Sequence, residues 1–166
     1  MNKLFTILML IPILLFGQRT KNNVYAEAHL GLFTQFLLNY EKQINFGEKG
    51  GLYFRVGGGY GLNHTGWLFS VENQGWGGLV ALTALSKLKR KRNQYFEFNM
   101  GAFCGYNEER FNWHHNGSEW TYDTNLRAFL SPTLTAGYRY QKPEGGFIFR
   151  ANAGIISLGL SIGYAF

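Results

Sequence analysis

The stretch LGLSIGYAF, Leu158–Phe166, decides the fold. Leu158, Leu160, Ile162, Tyr164 and Phe166 alternate with Gly159, Ser161, Gly163 and Ala165, so an extended chain here has one large apolar face and one nearly bare face. A helix would scatter both sets around its axis. The period of two therefore predicts a strand whose two sides meet very different surroundings.

The same alternation recurs upstream. Phe147, Phe149, Ala151, Ala153 and Ile155 oppose Ile148, Arg150, Asn152 and Gly154. Before them, Leu126 to Tyr140 carries Leu130, Leu134, Ala136 and Tyr138 against Arg127, Ser131, Thr133, Thr135 and Arg139. Phe96, Phe98, Met100 and Ala102 oppose Glu97, Asn99, Gly101 and Phe103, and Leu52, Phe54, Val56 and Tyr60 oppose Tyr53, Arg55, Gly57 and Gly61. Two weaker segments open the series: Val24, Ala26, Ala28 and Leu30 against Tyr25, Glu27 and His29, then Phe36, Leu38 and Tyr40 against Leu37, Asn39 and Glu41. Gly77 to Lys87 adds one strand of unsettled phase, with Leu79 and Leu85 on one side and Val80, Leu82 and Ala84 on the other. The count is eight strands.

Composition agrees with strands crowded against small residues. The chain of 166 residues has 15 Phe, 10 Tyr, 4 Trp and 22 Gly, but only 3 Pro, 1 Cys and 16% charged residues. That excludes a disordered chain and a disulfide scaffold. Met1 to Lys3 followed by the apolar run Leu4–Phe16 predicts a secretory signal peptide over residues 1–17, because a bilayer-spanning helix needs about 20 apolar residues. Residues 18–166 are expected to form one domain. With no second long apolar run, a membrane protein of this sequence must be a closed barrel, since lipid leaves no backbone polar group unpaired.

Periodicity does not say which face looks outward. A soluble lipocalin-like barrel would hide the bulky set and leave a glycine-rich, thinly polar exterior. The small face, however, also carries Glu27, Glu41, Arg55, Glu97, Arg127, Arg139 and Arg150 in mid-strand. Glycines and balanced charges suit a cramped polar lumen, and leucine, phenylalanine and tyrosine suit lipid. The lipid-facing assignment is preferred, with Tyr25, Tyr53, Tyr95, Phe103 and Phe129 inward as lumen fillers. The sequence predicts an all-β, eight-stranded antiparallel up-and-down transmembrane barrel.

The links fit this topology. With the N-terminus in the periplasm, the inner turns read FGEKG, KRKRN and KPEGG, and the long outer links run from Asn63 to Trp76 and from Asn107 to Asn125. Short outer links are expected near Phe33 to Gln35 and at Ser157. Turns near Gly47–Glu48 and Pro143–Glu144 put Glu41 level with Arg55 and Arg139 level with Arg150. Glu97 is the expected carboxylate between the two arginines, with Glu27 across the closing seam as the alternative.

With GYRYQ at Gly137–Gln141, GGFIFRA at Gly145–Ala151 and the terminal IGYAF, the chain resembles small eight-stranded outer-membrane β-barrels of OmpA/OmpX-type architecture, in particular short barrel proteins of Bacteroidota. The resemblance covers essentially residues 18–166 and is architectural. It implies that Leu158, Leu160, Ile162, Tyr164 and Phe166 form the terminal signal read by the barrel-assembly machinery. It also implies an outer-membrane location and outer-membrane lipid as surroundings.

Little chemistry survives inspection. Adjacent His114 and His115 lack metal-ligand spacing. His29 beside Glu27 is a conceivable proton-handling pair, with a lumen hydrogen bond the simpler reading. An envelope lipid hydrolase would need a Ser–His arrangement near the outer rim, and His64 with Ser70 or His114 with Ser118 are the nominees, without a motif. Cys104 sits in the outward phase as a small hydrophobe. GGGYG from Gly57 lies inside a strand, without dinucleotide-loop spacing. Lys87, Lys89, Arg90, Lys91 and Arg92, a large part of the net charge of +6, are read as a solvated turn and not a nucleic-acid surface.

No catalytic, cofactor or metal residue is therefore expected. The sequence predicts a non-enzymatic integral outer-membrane barrel with a closed polar lumen, serving envelope integrity or loop-mediated adhesion. Any surface ligand is expected at segment 107–125, which carries Phe111, Trp113, Trp120 and Tyr122. The alternative is a lipid-modifying enzyme of the lipid A deacylase or acyltransferase type, and a solute pore is a weaker third.

Overall fold

The computed structural model describes residues 22–47, 50–64, 71–88, 93–107, 114–116, 119–121, 128–154 and 157–166. The segment 1–17, the turn residues Glu48 and Lys89–Arg92, Leu126, Arg127 and Ile155 lie outside them.

Among the described residues, ten strands follow in chain order: β1 (Asn22–Gly31), β2 (Phe33–Gly47), β3 (Gly50–His64), β4 (Val71–Lys87), β5 (Gln94–Tyr106), β6 (His114–Asn116), β7 (Glu119–Thr121), β8 (Ala128–Gln141), β9 (Gly146–Gly154) and β10 (Ser157–Ala165). Eight of them close a barrel in the order β1-β10-β9-β8-β5-β4-β3-β2, every neighbouring pair antiparallel, while β6 and β7 form a separate two-stranded hairpin. Closure leaves no free edge along the seam: β1 pairs β10 from Asn23↔Ala165 to Gly31↔Ser157. β1 pairs β2 on its other side.

Alternation sorts the side chains radially. Val24, Leu30, Phe36, Leu38, Phe54, Val80, Phe98, Met100, Leu130, Leu134, Phe147, Leu160 and Ile162 are exposed on the outer wall, whereas Glu27, Glu41, Arg55, Glu97, Arg139 and Arg150 are buried inside. Tyr25, Tyr53, Tyr95, Phe103 and Phe129 are buried with them. Cross-strand partners at the seam illustrate how the lumen is filled: His29 faces Gly159, Glu27 faces Ser161 and Tyr25 faces Gly163, a large side chain against a small one in each row. A Cβ on Gly159 would lie 2.4 Å from the His29 ring, and one on Gly163 would lie 2.2 Å from the Val24 carbonyl. The bare face of the terminal strand is the space its neighbours occupy.

Several boundaries differ from the sequence expectations. The outer link placed at Asn63–Trp76 is largely strand, since β3 runs through His64 and β4 starts at Val71, with Leu62↔Gln74 and Asn63↔Asn73 in register. Asn63, Asn73 and Gln74 pair here through their backbones, and the few apolar residues beside them are too sparse for an alternation to announce the strands. Phe33 to Gln35 belongs to β2, leaving Leu32 between β1 and β2, and Ser157 is the first residue of β10. Part of segment 107–125 pairs as β6–β7, with His115 opposite Trp120. The phase of β4 resolves with Leu79, Ala81, Thr83 and Leu85 buried inward and Val80 and Leu82 exposed.

Candidate functional site

The lumen is filled in three levels. Next to the short turns and both barrel termini, Tyr53, Leu85 and Tyr95 form a small buried cluster. Toward the long loops, Leu37, Leu79, Ala81, Phe103 and Phe129 form another, in which the Phe103 and Phe129 rings lie 6.0 Å apart. Between them sits the charged level, made of side chains from β1, β2, β3, β5, β8 and β9.

Glu97 is its centre. Arg150 donates from Nε to both carboxylate oxygens, at 2.9 and 3.0 Å, and from Nη2 to Oε1. Arg139 donates from Nε to Oε2, and Asn99 adds an amide hydrogen bond at 2.7 Å. Arg139 and Arg150 are register partners on β8 and β9, so their charges would repel without this shared carboxylate. Arg139 then reaches across the lumen to grip both oxygens of Glu41, at 2.9 and 2.8 Å from Nη2. Glu41 also accepts from the Tyr25 hydroxyl at 2.6 Å and from the Asn23 amide at 3.1 Å.

Arg55 pairs differently from its strand position. It is level with Glu41 in the β2–β3 register, yet its guanidinium bonds Glu27 on β1 and donates from Nε to Asn39 at 3.0 Å. Glu27 accepts a further hydrogen bond from Asn39 and contacts His29 Nε2. The Tyr25 ring is flanked by the two guanidiniums of Arg150 and Arg55, at 4.2 and 5.4 Å from its centroid. Among the described residues, three carboxylates and three guanidiniums thus balance in a barrel interior just wide enough for side chains to reach across it. The sequence placed these groups on the inward face; the cross-lumen pairing of Arg139 with Glu41 was not readable, because strand register alone matches neighbours.

Among the described residues, the lumen atoms without a hydrogen-bond partner are Nη1 of Arg55 and of Arg150, both amide atoms of Asn152 and the Ser161 hydroxyl, although Arg150 Nη1 stays 3.5 Å from Glu41 Oε1 as an ion pair. Ser161 is in register with both Glu27 and Arg150, and Asn152 with Gly159 in the next row, so they gather on one side of the lumen.

The other nominated residues fall partly outside the described residues. His64 ends β3 with its Nδ1 unpartnered, and Ser70 lies outside the described residues, as does Ser118 near His114. Cys104 is exposed on the outer wall. The GGGYG run is part of β3, where Gly59 and Gly57 pack against β2. Leu158, Leu160, Ile162 and Tyr164 line the outer face of β10, and Phe166 follows it.

No protein-family model matches the chain, and no curated protein matches it in sequence. Among solved structures, the chain is similar to the N-terminal β-barrel domain of Pseudomonas aeruginosa OprF, with a TM-score of 0.52 and 13% identity over 90% of this chain and 100% of that one. A second similar structure is Ail, the attachment invasion locus protein of Yersinia pestis, with a TM-score of 0.44 and 12% identity over 87% of this chain and 95% of that one. The fold is that of a small, closed, eight-stranded antiparallel β-barrel.

Proposed function

We propose that the chain is a non-enzymatic integral protein of the bacterial outer membrane, a rigid barrel with a plugged lumen that supports the envelope and displays its long loop. The carrying observation is the inverted polarity: Arg55, Arg139, Arg150, Glu41 and Glu97 are almost wholly buried inside, while leucines and phenylalanines stand exposed around the wall. In water that arrangement would expose a broad apolar surface, whereas in lipid each side chain meets a matching medium. On this reading residues 1–17 are an export signal, residues 18–166 are the barrel domain, and Leu158, Leu160, Ile162, Tyr164 and Phe166 are what the barrel-assembly machinery recognises.

The three-level plug supports a role without general solute passage. Folded protein reconstituted into planar bilayers should give no large, steady conductance, and membrane fractionation of the expressing cell should find it with the outer membrane as a heat-modifiable band. A porin-like conductance or a soluble periplasmic product would overturn the reading. Adhesion or partner binding, where present, is assigned to segment 107–125 because loops on a rigid scaffold are freest to acquire it.

A further inference from the structure

The barrel wall is uneven at its loop end. β8 pairs β5 as far as Ala128, but on its other side the last pair with β9 is Thr135↔Gly154. Ala128–Leu134 therefore has no strand partner on that side among the described residues. Above the short β9 and β10, and bounded by β8 on one flank and the β1–β2 hairpin on the other, lies a notch of about 260 Å³ lined by His29, Phe33, Gln35, Thr133, Leu134 and Thr135, with Pro132 and Ser157.

Its position follows from strand length. A tilted membrane strand needs about 9–11 residues to cross the hydrocarbon. β9 and β10, at 9 residues each, cross it and little more, while β8 continues for 14 residues. On the outer-membrane reading, that strand length sets the notch near the outer edge of the hydrocarbon, close to the depth of lipid acyl linkages. Its lining is graded to match. Leu134 and Pro132 belong to the exposed outer face, whereas His29, Gln35 and Thr135 are buried polar groups facing inward. Glu27 holds the Nε2 side of His29, which leaves Nδ1 as the imidazole group available to the notch. A bare sheet edge would ordinarily recruit another strand, but Pro132 lies within this one and has no N–H to donate.

The geometry points to a lateral binding site for an acylated membrane lipid, whose ester or amide carbonyl is held by His29, Gln35 and the two threonines while its first methylenes lie against Phe33, Pro132 and Leu134. This inference rests on the outer-membrane reading above, and the test separates the two. The full chain is folded into phosphatidylethanolamine/phosphatidylglycerol vesicles containing a phospholipid with a diazirine close to its acyl linkage, irradiated, and mapped by peptide mass spectrometry.

The notch residues Phe33 and Pro132–Thr135 should be labelled about fivefold more than wall residues at the same depth, the ratio expected for one net hydrogen bond. Thr133→Trp, which fills the notch, should abolish that excess while leaving heat-modifiability unchanged. Labelling of outward Val80, Leu82 and Met100 with no excess at the notch overturns the site and keeps the membrane reading. Absence of labelling everywhere overturns both. A covalent dimer formed by a bifunctional amine- and carboxyl-reactive crosslinker in the same vesicles, with no lipid adducts at Ala128–Leu134, would assign the edge to a second copy and also reject the lipid site. If Thr133→Trp fails to fold, Gln35→Ala with Thr135→Val is the second variant, and an undiminished excess in it rejects the proposed carbonyl contacts.

Discussion

Asn22 and Phe166 exchange both of their backbone hydrogen bonds: the Asn22 amide donates to the Phe166 carbonyl at 3.0 Å, and the Phe166 amide donates to the Asn22 carbonyl at 2.9 Å. This rung is the last of the closing seam. Deleting Phe166 removes it together with the terminal aromatic, and two net hydrogen bonds amount to about 1–3 kcal/mol. The deletion should lower the amount of heat-modifiable barrel in the outer membrane. Phe166→Ala keeps the rung and removes only the ring, so an equal loss in both variants, measured on immunoblots of membrane fractions, would assign the effect to recognition during assembly. Full-level insertion of the deletion would remove Phe166 from the proposed assembly signal.

Glu97→Ala should be among the most destabilising single changes in the chain. It leaves Arg139 and Arg150 buried, adjacent and short of their common carboxylate, and breaking a buried pair this way typically costs about 3–5 kcal/mol. Glu144→Ala, in the exposed β8–β9 turn, should stay within about 0.5 kcal/mol of the parent. Urea unfolding in lipid vesicles, followed by tryptophan fluorescence, compares them, and coincident midpoints would contradict the central position given to Glu97.

Glycine substitutions should divide by face. Gly159→Val drives a side chain into His29, where the nearest ring atom is 2.4 Å from the added Cβ, while Gly58→Val on the outer wall meets nothing nearer than 3.7 Å. Overpacking costs about 1–3 kcal/mol, so the first should lower the urea midpoint clearly and the second hardly at all. Equal midpoints would mean that the lumen yields more readily than its packing indicates.

Replacing residues 107–125 by a short Gly-Ser turn should leave the barrel intact, because β5 and β8 are held by their own pairing from Tyr106↔Ala128 to Gln94↔Tyr140. Heat-modifiability and export should stay near the parent level, and any adhesion measured for the parent should disappear. Full adhesion by the shortened protein would move the search for a partner to the remaining rim.

Much of the architecture was legible because seven of the eight barrel strands set a polar or small face against an apolar one. β4 was the exception for a physical reason. Its inward Leu79, Ala81 and Leu85 contribute to the apolar clusters above and below the charges, so both faces are apolar and polarity does not alternate. The strand extensions beyond Gly61 and before Gly77 were hidden for a different reason: around Leu62 and Trp76 the sequence is mostly Asn, Gln and Gly, too few apolar residues to show an alternation. Inward charges were legible one residue at a time. Their partners were not, because Arg139 reaches Glu41 over the width of the lumen, a distance that depends on barrel diameter and stagger rather than on any turn in the chain.

The chain order of the six lumen charges gives barrel closure an electrostatic direction. A sheet containing only β1 to β5 presents three carboxylates, Glu27, Glu41 and Glu97, against the single guanidinium of Arg55, and the missing positive charges arrive with Arg139 on β8 and Arg150 on β9. Uncompensated charge is costly in hydrocarbon. On the outer-membrane reading, a half-built sheet is thus penalised in the bilayer until β8 and β9 neutralise it, which opposes premature release of an open intermediate and makes these strands the ones that commit the barrel to the membrane.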